Sequence, residues 1–313
     1  MELHENSRVV KNLLRKRDLL LQGDRAHEEI RSALIICGGA MRGVFGAGAG
    51  LALQRLGLHQ CFDVVVGIST GALVAAYFLD DIERGPEAVA IYYNECLDKR
   101  FINFARWPVV NIDFIEDVVR NGRRKLDVQS ILRHRSSFFA GATCWETGEG
   151  YLLDVKHAIP DPISAIKASL AVVELYRKPV VVNGKQFVDG SYALPFPAKR
   201  VADAFNPTDV LVIANCSEKH ARNSHSLTRR ILTKLFTVGL SQSVRLLATG
   251  RQNFWTENLA YLQVHRANVA ILWGPSSIGS LTRDRELLRQ TAAEGARKTL
   301  AAFGQPELPF NLL

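Results

Sequence analysis

Five residues, Gly67-Ile68-Ser69-Thr70-Gly71, constrain this chain more than any other feature. They follow the apolar run Phe62, Val64, Val65, Val66 and precede Ala72-Leu73-Val74-Ala75-Ala76-Tyr77. A β-branched run ended by Gly predicts a buried strand, and the apolar run after Gly71 predicts a helix. In that strand–turn–helix setting, G-x-S-x-G is a sharp turn that lifts a serine hydroxyl above the edge of a sheet. Glycine is needed at Gly67 and Gly71 because the two backbones nearly touch there and a Cβ would clash. The pattern alone arises by chance in roughly one chain in ten of this length. Its place at the end of a β-branched run gives it weight.

The surrounding pattern predicts a layered α/β fold. Ala33-Leu34-Ile35-Ile36-Cys37 reads as a short buried strand and 38–43 as a loop. A small-residue helix over about 45–56 follows, stopped by Gly57. Joined to the strand before Ser69, this is a β-loop-α-β-loop-α repeat. It predicts a three-layer α/β/α fold with a central, mostly parallel sheet. Residues 1–31 read as one charged helix, an N-terminal helical extension to a domain spanning 32–313. The polar, aromatic stretch of about 83–136 reads as a helical cap or insertion. Segments 138–143 and 151–154 read as paired strands. Asp161-Pro162 starts a helix, with Asp as N-cap and Pro in the first turn. Val180-Val181-Val182 and Gln186-Phe187-Val188 flank Asn183-Gly184, a strong hairpin signal. Strands at 210–214 and 270–273 and a helical part over about 217–303 complete the chain.

Composition narrows the class. Of 313 residues, 47% are hydrophobic, ample for a core. The polar start Met1-Glu2-Leu3-His4-Glu5 is no secretory signal. The longest apolar stretch, 64–79, is too short and too interrupted to span a bilayer. Cys37, Cys61, Cys96, Cys144 and Cys216 are scattered and lack metal-ligand spacing, which suits a reduced, cytoplasmic protein.

The net charge of +8 is uneven. Lys219, Arg222, Arg229, Arg230, Lys234, Arg245 and Arg251 lie in a stretch whose only acid is Glu218. Leu227, Ile231, Leu232, Leu235, Phe236 and Leu240 recur there at helical spacing. A basic amphipathic helix of this kind can lie peripherally on an anionic membrane. The commoner arrangement is an ordinary surface helix with its stripe in the core. No aromatic-interleaved basic loop or finger pattern points to nucleic acid.

Ester chemistry needs a nucleophile, a base and donors for the oxyanion. Ser69 is the candidate nucleophile. The loop Gly38-Gly39-Ala40-Met41-Arg42-Gly43 can aim successive N–H groups at one point, and the helix behind it adds the positive end of its dipole. Parallel strands would bring this loop and Ser69 to the same sheet edge. Its spacing does not fit the dinucleotide fingerprint, since Ala40 stands at the third position. For the base, Asp189 ends an apolar strand and precedes Gly190, so its carboxylate would be delivered at a sheet edge. A turn-initiating Asp is the alternative. His220, His225 and His265 lie in order for a Ser-His-Asp esterase, yet none sits in a recognisable motif.

In this order, the three motifs resemble those of patatin-like phospholipases: the glycine-rich loop, the elbow at Ser69, and Asp189-Gly190-Ser191. Phe62-Asp63 before the elbow strand and Ala165-Ile166-Lys167-Ala168-Ser169 before the hairpin match as well. The subgroup it is most similar to is the bacterial single-domain one. The resemblance covers about 31–303. It implies a lipid acyl hydrolase with a Ser69–Asp189 dyad, no histidine, no cofactor and no metal. It also implies an oxyanion hole from the N–H groups of Gly38, Gly39 and Ala40, with Arg42 bracing the loop. The pattern departs at two positions. Ala40 replaces a third glycine, which matters if that position needs positive φ. Ser191 replaces Gly or Ala and is placed to hydrogen-bond the Asp189 carboxylate, lowering its basicity. A lipid-binding module without turnover is the reading from another class.

Overall fold

The structure, a computed structural model, describes residues 2–5, 7–222 and 254–305. Five parallel strands form its centre, in the order β3 (Ser137–Cys144), β2 (Val64–Ile68), β1 (Ser32–Ile36), β7 (Asp209–Ala214) and β8 (Asn268–Trp273). On the far side of β3, the antiparallel β4 (Gly150–Asp154) and the hairpin of β5 (Val180–Val182) and β6 (Lys185–Asp189) extend the sheet. Asn183 and Gly184 both have positive φ, 50° and 75°, as the tight turn of that hairpin requires.

Alternation along the strands explains the layers. Leu34 and Ile36 of β1 pack on one face, Ala33 and Ile35 on the other. The first face is covered by α2 (Gly43–Arg55), α3 (Thr70–Leu79), α4 (Gly85–Tyr93), α7 (Pro162–Leu170) and a long C-terminal helix, Arg285–Ala302. The second is covered by α8 (Ala198–Phe205) and the helix Phe254–Val264. With helices on both faces, every residue of β1 and β2 is buried, which is why these strands read as continuous apolar runs. Between α4 and β3, α5 (Ile112–Asn121) and α6 (Val128–Arg133) occupy the predicted cap region.

The N-terminal segment corrects one expectation. Residues 1–31 are not a single helix. The first helix, α1, spans Arg8–Gln22 and stops at Gly23, whose φ of 68° is left-handed. Asp24 then caps a separate short turn, Arg25–Glu29, by accepting from the Ala26 N–H. Val9, Val10 and Leu13 of α1 are buried in the main core. The basic amphipathic stretch expected over 227–247, with His225, lies outside the described residues. Among the described residues, no helix is long and apolar enough to cross a membrane.

Candidate active site

The elbow is built as a strained turn. Ser69 sits between β2 and α3 with φ 54° and ψ −130°, a conformation that non-glycine residues rarely adopt. A Cβ on Gly67 would lie 2.3 Å from the Ala72 Cα, and one on Gly71 would lie 2.1 Å from the Ile36 carbonyl oxygen. Both glycines are therefore there because backbone occupies the space. A neighbouring side chain holds the turn. The Ser69 N–H donates to Ser169 Oγ at 2.8 Å, and the Ser169 hydroxyl donates to the Gly141 carbonyl at 2.6 Å.

Asp189 arrives from the opposite side. It ends β6, opposite Ala142 of β3, and its own N–H donates to the Ala171 carbonyl at 3.0 Å. The Ser69 hydroxyl donates to Asp189 Oδ2 at 2.6 Å. The other carboxylate oxygen, Oδ1, accepts from the Ser191 N–H at 2.7 Å and the Ser191 hydroxyl at 2.6 Å. Asp189 is fully buried and Ser69 only 6% exposed. Burial pushes the Asp189 carboxyl up from 3.8 to about 6, against the hydrogen bonds of Ser191 and Ser69, which favour the charged form.

The glycine-rich loop meets Ser69 from a third direction. A Cβ on Gly38 would lie 2.9 Å from the Ser69 Cβ, so the two backbones share one edge of the sheet. Further along the loop, the Met41 N–H is taken by the Ser280 carbonyl and the Arg42 N–H by that of Gly39. Among the described residues, no hydrogen bond uses the N–H groups of Gly38, Gly39 or Ala40. Ala40 does adopt positive φ, 52°, so its replacement of glycine does carry strain, of order 1 kcal/mol. Arg42 Nε donates to the Gly39 carbonyl at 3.3 Å, and its guanidinium lies 3.0 Å from the His220 ring.

Local sequence reading missed Asn215, the residue after β7. Its Nδ2 donates to the Cys37 carbonyl at 2.6 Å, and its Oδ1 accepts from the Gly46 N–H at 2.9 Å. One buried amide thus ties together the two ends of the glycine-rich loop. A lone Asn after a strand carries no local signal of that contact, because its partners are 178 and 169 residues away.

Beside Ser69 opens an apolar pocket walled by Leu73, Ile102, Val110, Ile115 and Leu175. The buried hydroxyls of Thr70 and Tyr92 interrupt its lining. Neither described candidate histidine bonds to Ser69 or Asp189: His220 meets Arg42, and His265 lies against Tyr261. Among the described residues, no three His, Cys, Asp or Glu side chains converge as a metal site would require.

The model of the family described as patatin-like phospholipase matches residues 34–202, more than half of the chain. This chain belongs to the patatin-like phospholipase family. Family membership places it among the lipid acyl hydrolases, enzymes that act on lipid esters. The matched segment contains the loop at Gly38, the elbow at Ser69 and Asp189, and ends in α8. Among solved structures, VipD from Legionella pneumophila is similar to this patatin-like chain, with a TM-score of 0.41 and 11% identity over 88% of this chain and 67% of that one. No curated protein matches the chain.

Ser191 is where this patatin-like site invites a direct test. Replacing Ser191 with Ala removes one of the three donors on the Asp189 carboxylate and leaves the backbone N–H in place. A hydrogen bond of this kind is worth about 1.4 kcal/mol, or about one pH unit in the titration of its acceptor. The acidic limb of a kcat/KM profile on a soluble ester is expected to move to higher pH by up to that amount. An unmoved limb would show that Ser191 does not set the basicity of Asp189.

Proposed function

We propose that Ser69 and Asp189 form a catalytic dyad that cleaves fatty-acyl esters of lipids, phospholipids among them, through an acyl-enzyme. The observation that carries this reading is the 2.6 Å hydrogen bond between Ser69 Oγ and Asp189 Oδ2, made without an intervening histidine. Ser69 Oγ attacks the ester carbonyl carbon, and its proton passes to Asp189 Oδ2. The carbonyl oxygen, now negative, is held by the N–H groups of Gly38, Gly39 and Ala40, with Arg42 bracing the loop. The C–O bond to the alcohol breaks, and the leaving oxygen takes the proton from Asp189. A water then gives a proton to Asp189 and attacks the Ser69 ester. The fatty acid leaves and Ser69 recovers its proton.

Two features make an aspartate sufficient as base. Its raised titration brings it closer to the acidity at which proton transfer is efficient near neutral pH, and the loop N–H groups that no hydrogen bond uses among the described residues stabilise the charge that attack creates. The apolar pocket beside Ser69 supports an acyl chain as the part of the substrate bound there. We place the protein in the cytoplasm, in keeping with five free cysteines, four of them buried.

A fluorophosphonate probe and a mixed-phospholipid release assay test the proposal. Wild-type protein is expected to be labelled and to release fatty acid, and Ser69→Ala to do neither. Labelling that persists in Ser69→Ala would overturn Ser69 as the nucleophile.

A further inference from the structure

The loop over 98–111 has an inner and an outer side. Ile102 and Val110 pair in a β-bridge and line the pocket beside Ser69. The outer side carries Phe104 and Trp107, 61% and 47% exposed. Of the seven large apolar side chains that stand exposed among the described residues, two are on this one short loop. Cations surround them. Lys99 and Arg100 are exposed on the same loop. The hydrogen bond from the Val110 N–H to the Leu175 carbonyl, 3.0 Å, brings in a second segment. That segment places the Arg177 guanidinium 5.3 Å over the Trp107 ring, with exposed Lys178 beside it. Of the nearby acids, Asp98 pairs with Arg100 and Asp113 with Lys167 and Lys178, and Asp117 also faces Arg100.

We propose that this face anchors the protein on an anionic bilayer. Trp107 enters the headgroup layer, where an aromatic ring with a polar edge is favoured, Phe104 adds an apolar ring beside it, and Lys99 and Arg177 meet lipid phosphates. The charge is complementary to an anionic surface. The same loop also forms a wall of the pocket, so docking brings that wall to the lipid surface. The anchoring itself does not depend on Ser69; only the pocket's role rests on the hydrolase reading above.

The test is made in a Ser69→Ala background, so that binding is measured without turnover and stands whatever the nucleophile is. Vesicles of phosphatidylcholine with phosphatidylglycerol are compared with phosphatidylcholine alone. Ser69→Ala is expected to prefer the anionic vesicles. Adding Phe104→Ala and Trp107→Ala is expected to lower partitioning roughly tenfold or more, the effect of withdrawing two interfacial aromatics. Adding Lys99→Gln and Arg177→Gln is expected to remove the anionic preference. The Trp107 emission, taken as the difference from Trp107→Phe, should shift to the blue on anionic vesicles and be quenched by brominated lipid. In the active protein, Phe104→Ala with Trp107→Ala should lose vesicle hydrolysis but keep hydrolysis of a soluble short-chain ester. Unchanged partitioning in the aromatic variant, or Trp107 emission insensitive to brominated lipid, would overturn the proposal. So would binding to neutral and anionic vesicles alike.

Discussion

Replacing Asp189 with Asn is expected to lower kcat/KM on a soluble ester by about 10³- to 10⁴-fold while leaving the protein folded. The amide keeps the shape of the carboxylate and can still accept from Ser191. What it loses is the capacity to take the Ser69 proton. The wild-type profile should show why. The proposed base, Asp189, is competent only when ionised, and its carboxyl is raised from 3.8 to about 6, so activity should climb with pH and level off above about 6. The same shift has a stability sign. A carboxyl raised on folding binds its proton more tightly in the native state, so it costs nothing below about 3.8. The cost grows as pH rises toward about 6 and is full above it. For a fully buried group that is on the order of 3 kcal/mol at neutral pH. Asp189→Asn should therefore melt higher than wild type at pH 8 and show little advantage at pH 4. An Asn variant that retains activity, or a stability difference that does not grow with pH, would refute Asp189 as a buried base. The two effects belong together, since on the proposed mechanism the same buried, ionised carboxylate serves catalysis and is costly in folding.

The parts of this site that were legible in the sequence are those with a local cause. A β-branched run ending in Gly-x-Ser-x-Gly leaves few alternatives to a strand, a turn and a helix. Asn183-Gly184 reverses the chain with a positive-φ turn, and that hairpin is what carries Asp189 to the sheet edge. The order of the motifs then implied that parallel strands bring the loop and the elbow together, as β1 and β2 do. What stayed hidden depends on contacts between distant segments. Ser169 fell within a recognisable stretch, yet nothing local says that its hydroxyl accepts from an N–H 100 residues away. Asn215 is equally silent. The N-terminal helix looked charged along its length, and charge pattern alone does not reveal which cation is inside. The consequence of Ala40 needed a dihedral angle, which neighbouring residues do not determine.

Lys16 is that hidden cation, and its removal is expected to be the largest stability loss away from the site. It lies on α1 and is completely buried. Its Nζ donates to the Ile30 carbonyl at 2.6 Å, to Ser32 Oγ at 3.0 Å and to Asp63 Oδ2 at 2.6 Å. Burial lowers its pKa, and Asp63 opposes that shift. Ser32 opens β1 and Asp63 immediately precedes β2, so one ammonium group joins α1 to the starts of the two strands whose far ends carry the glycine-rich loop and Ser69. Breaking a buried pair costs about 3–5 kcal/mol, because the partner is left uncompensated. Asp63 is 40% exposed and keeps Arg135 at 3.6 Å, which places Lys16→Ala near the lower end, about 3 kcal/mol. Lys16→Met keeps most of the volume and should cost less than the alanine, with the difference reporting the packing of the stem. Urea denaturation of the three proteins checks the order. Because the contact is at the opposite end of β1 and β2 from Ser69, kcat/KM at low temperature should remain within about twofold of wild type, while the denaturation midpoint falls. A Lys16→Ala protein as stable as wild type would mean that the apolar face of α1, and not the Lys16 contacts, holds this helix on the fold. An equal loss for Met and Ala would assign the whole effect to the charge and its three acceptors.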